Sequence, residues 1–304
     1  MLQEIAITPD VFHRENYSTV EECDLRLESI SQRLLDCFLV RNLRDGNWFT
    51  ELNTKKNHSP RSGQKLLKQL RIDKRLPPFQ RMLLEKPESP EDWCNEALAT
   101  NNKETLAGIL TSQEIKKEFK SEKLVSSVNN YRKSDWWKTA LGGGPARISR
   151  NTKSYLEQFG LTLSRASHVM FMDPHLDPGK PNYKEFVQLI EKCGSGTHIE
   201  IHRVCYEDQR RENFPDNTIW EERFNRKLAP LAKRYNQTIK VFIWPHEHDR
   251  HLVTNLMSYH LGNGLTTTRN QDDKMTCSKL TREQSDQIQR ECETGSPNHR
   301  FEVG

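Results

Sequence analysis

Apolar positions in the first half of the chain recur at helical spacing. Val20, Cys23, Leu27, Ile30, Leu34 and Cys37 fall three or four residues apart, with Leu35 and Phe38 broadening the stripe. That is the pattern of an amphipathic helix lying on a core. Ser18-Thr19 ahead of Glu21-Glu22 has capping-box spacing, and Asp45-Gly46-Asn47 closes the segment. Ser59-Pro60 predicts a second helix through Leu66, Leu67 and Leu70. Ser89-Pro90-Glu91-Asp92 predicts another with proline in its first turn, and Thr111 with Glu114 one more. Strand-like alternation is missing from this half, so residues 1–141 are expected to form an all-helical domain. Trp136-Trp137, at its end, are expected to be buried anchors against the next domain rather than bases' stacking partners.

Leu141-Gly142-Gly143-Gly144-Pro145 marks a boundary, and residues 142–149 are expected to be a Gly-rich linker. No GK[ST] follows, so the glycines are not a phosphate loop. From residue 150 the pattern changes. Residues 151–159 predict a helix, followed by a buried strand, His168 to Met172, that ends at Asp173-Pro174. Tyr183, Phe186, Leu189, Ile190 and Cys193 predict a helix, and His198 to Tyr206 a strand. Thr218 and Glu221 open a long helix faced by Trp220, Phe224, Leu228, Leu231 and Tyr235, with Pro230 inside it. Ile239 to Trp244 and Leu252 to Thr254 are strand-like, with a Gly262-Asn263-Gly264 turn beyond them. A capped helix from Thr281 to Glu293 and an edge strand from His299 to Val303 end the chain. Alternating strands and helices imply a mostly parallel, helix-flanked sheet over residues 150–304, whose ligands sit at the carboxyl ends of the strands. The expected class is α+β or α/β.

Composition narrows the compartment. No apolar run approaches the ~20 residues of a membrane span, and the N-terminus lacks the basic and apolar regions of a signal peptide. Seven cysteines, odd in number and without a CxxC pair, suit reduced thiols in a cytoplasmic protein. The net charge of +4 is small, but it is unevenly spread. Lys55, Lys56, Arg61, Lys65, Lys68, Arg71, Lys74 and Arg75 form a cluster opposed only by Asp73. Such a segment can follow a phosphate backbone and release its counterions, which makes DNA or RNA a candidate partner. The same cluster can instead be a solvated face or dock an acidic protein.

The densest reactive chemistry is His246-Glu247-His248-Asp249-Arg250-His251. Alternation places His246 and His248 on one face and His251 on the other, so a three-histidine metal site is awkward here. No metal or cofactor is expected. No elbow motif supports a serine or cysteine nucleophile. His248 and Arg250, two apart, face the same way, so an imidazole and a guanidinium can meet one phosphate. Asp173 and His175 fall at a neighbouring strand end.

The order of elements over residues 150–304, with a His-x-basic pair at the start of a strand and a glycine turn after it, resembles the phospholipase D-like fold. The resemblance implies an HxKxxxxD motif in which the histidine is phosphorylated, the lysine holds phosphate and the aspartate supports both, with two copies completing a site. Here the motif reads His248-Asp249-Arg250-His251-Leu252-Val253-Thr254-Asn255. Arginine replaces lysine, asparagine replaces the acid, and one copy is present. By the resemblance, His248, Arg250 and Asn255 are the catalytic positions, and Asp173, His175, Asp249 and Glu247 support them. The variant is similar to degenerate modules that bind partners in bacterial nucleic-acid-processing and phage-defence systems. It therefore implies a nucleic-acid- or partner-binding subunit with no membrane association. The alternative is a metal-independent, homodimeric phosphodiesterase or nuclease working through phosphohistidine.

Overall fold

The computed structural model describes residues 1–54, 59–141, 144–204, 217–245, 249–270 and 272–304. They fall into two compact units, Met1–Gly142 and Gly143–Gly304. The mixed helix-and-sheet class is as expected; the distribution of the strands is not.

The first unit carries a sheet. Its elements are β1 (Gln3–Ile7), α1 (Val20–Cys37), β2 (Phe38–Val40), α2 (Asn47–Thr54), α3 (Arg61–Ile72), α4 (Pro90–Asn101), β3 (Gly108–Thr111), α5 (Gln113–Glu118), β4 (Val125–Ser127) and α6 (Asp135–Leu141). The strands pair in parallel in the order β2-β1-β3-β4. The all-helical reading of residues 1–141 is thereby corrected. Each strand is only 3 to 5 residues long and is buried on both faces apart from Gln3. β2 and β3 read as short apolar runs without alternation, and β1 (Gln3-Glu4-Ile5-Ala6-Ile7) and β4 (Val125-Ser126-Ser127) are too short and mixed to show a strand pattern. Phe38-Leu39-Val40 also follow α1 without a break, so their apolar side chains merge with the helical stripe. Thr111 ends β3, and it is Ser112 that caps α5 by accepting from the Ile115 N–H.

Helices α1, α3, α4 and α5 were legible, whereas α2 and α6 were not expected, and α2 begins at Asn47 where a helix end was read. Thr19 caps α1 by accepting from the Glu22 N–H, and Cys23, Leu27, Ile30, Leu34 and Cys37 are its buried stripe. Ser89 and Asp92 form a reciprocal capping box on α4. Trp136 and Trp137 are buried in the core of their own unit. Trp137 stacks on Phe38 at 5.6 Å and meets Tyr131 edge-on at 4.5 Å. Gly108 makes room for the pair, because a Cβ there would lie 2.4 Å from the Trp136 ring.

The second unit comprises β5 (Ala146–Ser149), α7 (Thr152–Arg165), β6 (His168–Met172), α8 (Phe186–Lys192), β7 (His198–Val204), α9 (Asn217–Tyr235), β8 (Thr238–Trp244), β9 (His251–Thr254), β10 (Tyr259–Leu261), β11 (Lys274–Lys279), α10 (Arg282–Thr294) and β12 (His299–Val303). Its eight strands run β12-β8-β7-β6-β9-β10-β11-β5. β6, β7 and β8 are parallel, and β9 returns antiparallel to β6. Alternation splits the central strands cleanly. Val169, Phe171, Ile199, Ile201, Ile239, Val241 and Ile243 are buried on the face where Phe171 meets Phe186 of α8 edge-on. On the other face Met170, Met172 and Val253 pack with Ile288 and Cys292 of α10.

Candidate functional site

The site is set by one register. β9 pairs with β6 so that His251 faces Met172. The residue before β9, Arg250, therefore starts its strand beside Asp173, the residue after β6. This is the carboxyl end of β6, where ligands of such sheets gather.

Asp173 is buried and fully committed. Its Oδ1 accepts from the His175 N–H at 3.0 Å and the Tyr183 hydroxyl at 2.9 Å. Its Oδ2 accepts from the Leu265 N–H at 2.8 Å. The Leu265 donor is delivered by the Gly262-Asn263-Gly264 turn, in which Gly264 has φ +68°. A Cβ on Gly264 would lie 2.2 Å from Asp173 Oδ2 and 3.1 Å from Arg250 Cδ, so glycine is required on both counts. Burial pushes the Tyr183 hydroxyl pKa far up, and the charge and hydrogen bond of Asp173 push it further. Tyr183 therefore remains a donor. Arg250 and Arg203 oppose that shift, which sets both guanidinium groups within electrostatic reach of the tyrosine.

Arg250 is half-buried, and among the described residues no carboxylate pairs with it. Asp173 itself already accepts from three donors. Two other arginines of this unit, Arg223 on α9 and Arg203 on β7, do have partners. Arg223 pairs with buried Asp177 at 3.2 Å. Arg203 is fully buried, donates to the Val204 carbonyl at 2.9 Å and lies 3.5 Å over the Trp220 ring.

Several expected residues stand elsewhere. Asn255 is five residues beyond Arg250, roughly 17 Å along an extended strand. Its Oδ1 accepts from the Ser167 and His168 N–H groups at 3.0 and 3.2 Å, so it holds the entry of β6, at the far end from Arg250. Asp249 is exposed and lies 3.7 Å from His251 Nε2. His175 reaches Asp173 through its backbone. His246, Glu247 and His248 lie outside the described residues. Tyr183 and Leu265 were not anticipated. Tyr183 reads as one more member of an apolar stripe, and a backbone donor has no residue-type signal at all.

In the first unit, Arg61, Lys65, Lys68, Arg71 and Lys74 are exposed. Gly63, Leu66, Leu67 and Leu70 form the buried side of α3, which packs on α1. Arg61, Lys65 and Lys68, at i, i+4 and i+7, lie opposite that side, and α3 contains no acidic residue. Arg75 does not belong to this face. It is 6% exposed and donates to the Phe38 carbonyl, while its own carbonyl receives the Val40 N–H. Sequence proximity placed it with the surface cations, whereas the turn after α3 carries it inward to β2. Lys55 and Lys56 lie outside the described residues.

No family model matches this sequence, and no curated protein matches it. Among solved structures, the archaeal chromatin protein TrmBL2, described as showing a novel mode of DNA binding, aligns over 82% of this chain and 87% of its own, with 9% identity and a TM-score of 0.27. Polyphosphate kinase from Porphyromonas gingivalis aligns over 70% of this chain and 41% of its own, with 9% identity and a TM-score of 0.28. Likeness at this level assigns neither fold nor activity. No described helix is long and apolar enough to cross a membrane.

Proposed function

We propose that this protein binds nucleic acid through the basic face of α3, with Arg250 in the second unit as a separate phosphate contact. One observation carries the reading: Arg61, Lys65 and Lys68 share a solvent-facing stripe on a helix free of acids. From Arg61 to Lys68 that stripe spans about 10 Å of helix, which corresponds to roughly three phosphate steps of one strand. Its charge is not spent internally: Arg61, Lys65 and Lys68 make no ion pair among the described residues. The resemblance to degenerate phospholipase D-like modules extends this to a role as a non-hydrolytic subunit of a bacterial nucleic-acid-processing or defence-type assembly.

Fluorescence anisotropy with labelled duplex DNA and single-stranded RNA, titrated with salt, tests it. A combined Arg61→Glu, Lys65→Glu, Lys68→Glu chain is expected to bind duplex more weakly and to lose about 2.7 from the slope of log K against log salt, at ~0.9 per phosphate contact. Absence of wild-type binding at ~50 mM salt leaves only an interaction with a protein partner.

Arg250 favours a second reading. A half-buried guanidinium that pairs with no carboxylate among the described residues suits the phosphate-holding half of the imidazole–guanidinium pair that phosphohistidine chemistry needs. That reading predicts cleavage of nucleic acid in EDTA by a dimer, abolished in both His248→Ala and Arg250→Ala. Binding without cleavage leaves the first reading in place.

A further inference from the structure

The α10 side of the second sheet carries a cluster with no part in the site described above. His168 opens β6 and His198 opens β7, and the register sets them directly opposite each other. Their rings stack at 5.4 Å with 19° between planes. Two residues along β7, on the same face, stands Glu200. His198 Nε2 lies 3.1 Å from Glu200 Oε1, and His168 Nε2 lies 3.5 Å from the same oxygen. The three donor atoms are all within 4.8 Å of one another. We propose that His168, His198 and Glu200 form a binding site for a divalent transition metal of the zinc class.

The spacing fits the ion. Ligands at about 2.0–2.1 Å in a tetrahedral shell stand about 3.3–3.4 Å apart, and the two imidazole–carboxylate separations bracket that value. Imidazole with carboxylate suits zinc and its late first-row neighbours rather than magnesium or calcium. The three side chains are 30%, 35% and 19% exposed, so a water or substrate atom can complete the shell. An outer layer already holds the carboxylate. His202 Nε2 lies 3.2 Å from Glu200 Oε2, and the Trp244 indole N–H donates to His202 Nδ1 at 3.1 Å. An indole only donates. His202 Nδ1 is therefore the acceptor, and its Nε2 carries the proton given to Glu200. The His202 ring is buried and lies nearly parallel to the Phe242 and Trp244 rings, with centroids at 4.7 and 5.8 Å. This imidazole-to-carboxylate support is what fixes ligands in metal sites. Lys240, the β8 residue paired with Glu200, is exposed and makes no ion pair among the described residues.

The test uses the full chain stripped with chelator, with Zn²⁺ followed by calorimetry and Co²⁺ by absorption. The expected result is one equivalent bound, with nitrogen–oxygen type Co²⁺ bands and no thiolate charge-transfer band. His168→Gln and His198→Gln change half-exposed residues and are expected to leave the far-ultraviolet circular dichroism unchanged while weakening the metal by more than ~100-fold. His202→Gln, acting through Glu200, is expected to weaken it by ~10–100-fold. Wild-type protein that binds neither ion overturns the proposal. So does affinity unaltered in both single-histidine variants, or a thiolate band that assigns the ion to cysteines. None of these outcomes depends on nucleic-acid binding.

Discussion

Replacing Gly264 by alanine separates two costs that usually arrive together. The first is backbone strain: at φ +68° an L-residue with a Cβ loses about 1–2 kcal/mol. The second is collision, since the new Cβ would stand 2.2 Å from Asp173 Oδ2 and 2.8 Å from its Cγ. Asp173 is 1% exposed, so its carboxylate cannot swing into water. It must move off the Leu265 N–H, now at 2.8 Å, and a hydrogen bond to a charged group is worth about 1.5–3 kcal/mol. Together these come to about 3–5 kcal/mol, a large share of the ~5–15 kcal/mol that holds a domain folded. Gly196 supplies the control. It has a similar φ, +74°, but a Cβ there meets nothing within 4 Å, so Gly196→Ala carries the strain alone. In calorimetry the second unit's transition is expected to fall by roughly 2–8 °C in Gly196→Ala, and by roughly 6–20 °C in Gly264→Ala, at ~2–4 °C per kcal/mol. Equal shifts in the two variants would refute the idea that the turn is built against Asp173.

Three further outcomes follow from the same geometry. Arg75→Ala, which strips a buried donor from the Phe38 carbonyl, is expected to cost about 1–3 kcal/mol in urea unfolding; Lys65→Ala, on the exposed side of α3, is expected to stay within about 0.5 kcal/mol. Glu4→Leu leaves the fully buried Arg41 without its carboxylate at 3.0 Å and is expected to cost about 3–5 kcal/mol; a loss under ~1 kcal/mol would show that the bonds Arg41 donates to the Thr100 hydroxyl at 2.9 Å and the Glu104 carbonyl at 3.1 Å suffice. Burial alone would raise the Glu200 carboxyl pKa, but the hydrogen bonds from His168 and His202, with the charge of His168, overcome it and hold the pKa well below the usual range. A depressed folded-state pKa contributes stability that is present above the unfolded value, about 4.3, and lost as pH falls below it. Metal-free Glu200→Gln is therefore expected to flatten the acid limb of a stability–pH profile below about pH 4.3, and an unchanged limb would exclude Glu200 as its source.

Periodicity alone determined much of the second unit. The strand over His168–Met172, buried on both faces, stands where an apolar run closed by Asp173-Pro174 put it. The strand over His299–Val303 and the Thr281-capped helix stand where alternation and capping residues put them, because each is half-buried and shows one polar face. The basic stripe of α3 was legible for the same reason. What the sequence hid is buried strands too short to stand out from the helices beside them, and whatever is brought together from afar. The strands of the first unit are 3 to 5 residues long and have no exposed face, so nothing in their pattern distinguished them from helix. Arg75 looked like its neighbours until a turn carried it inward. Asn255 looked close to Arg250 in sequence, but extended backbone moves five residues to the opposite end of a strand. Asp173 meets Tyr183 and the Leu265 N–H, and His168 meets His198 and Glu200, only because strand register joins distant segments. Register is a property of the whole sheet, and no local stretch of residues encodes it.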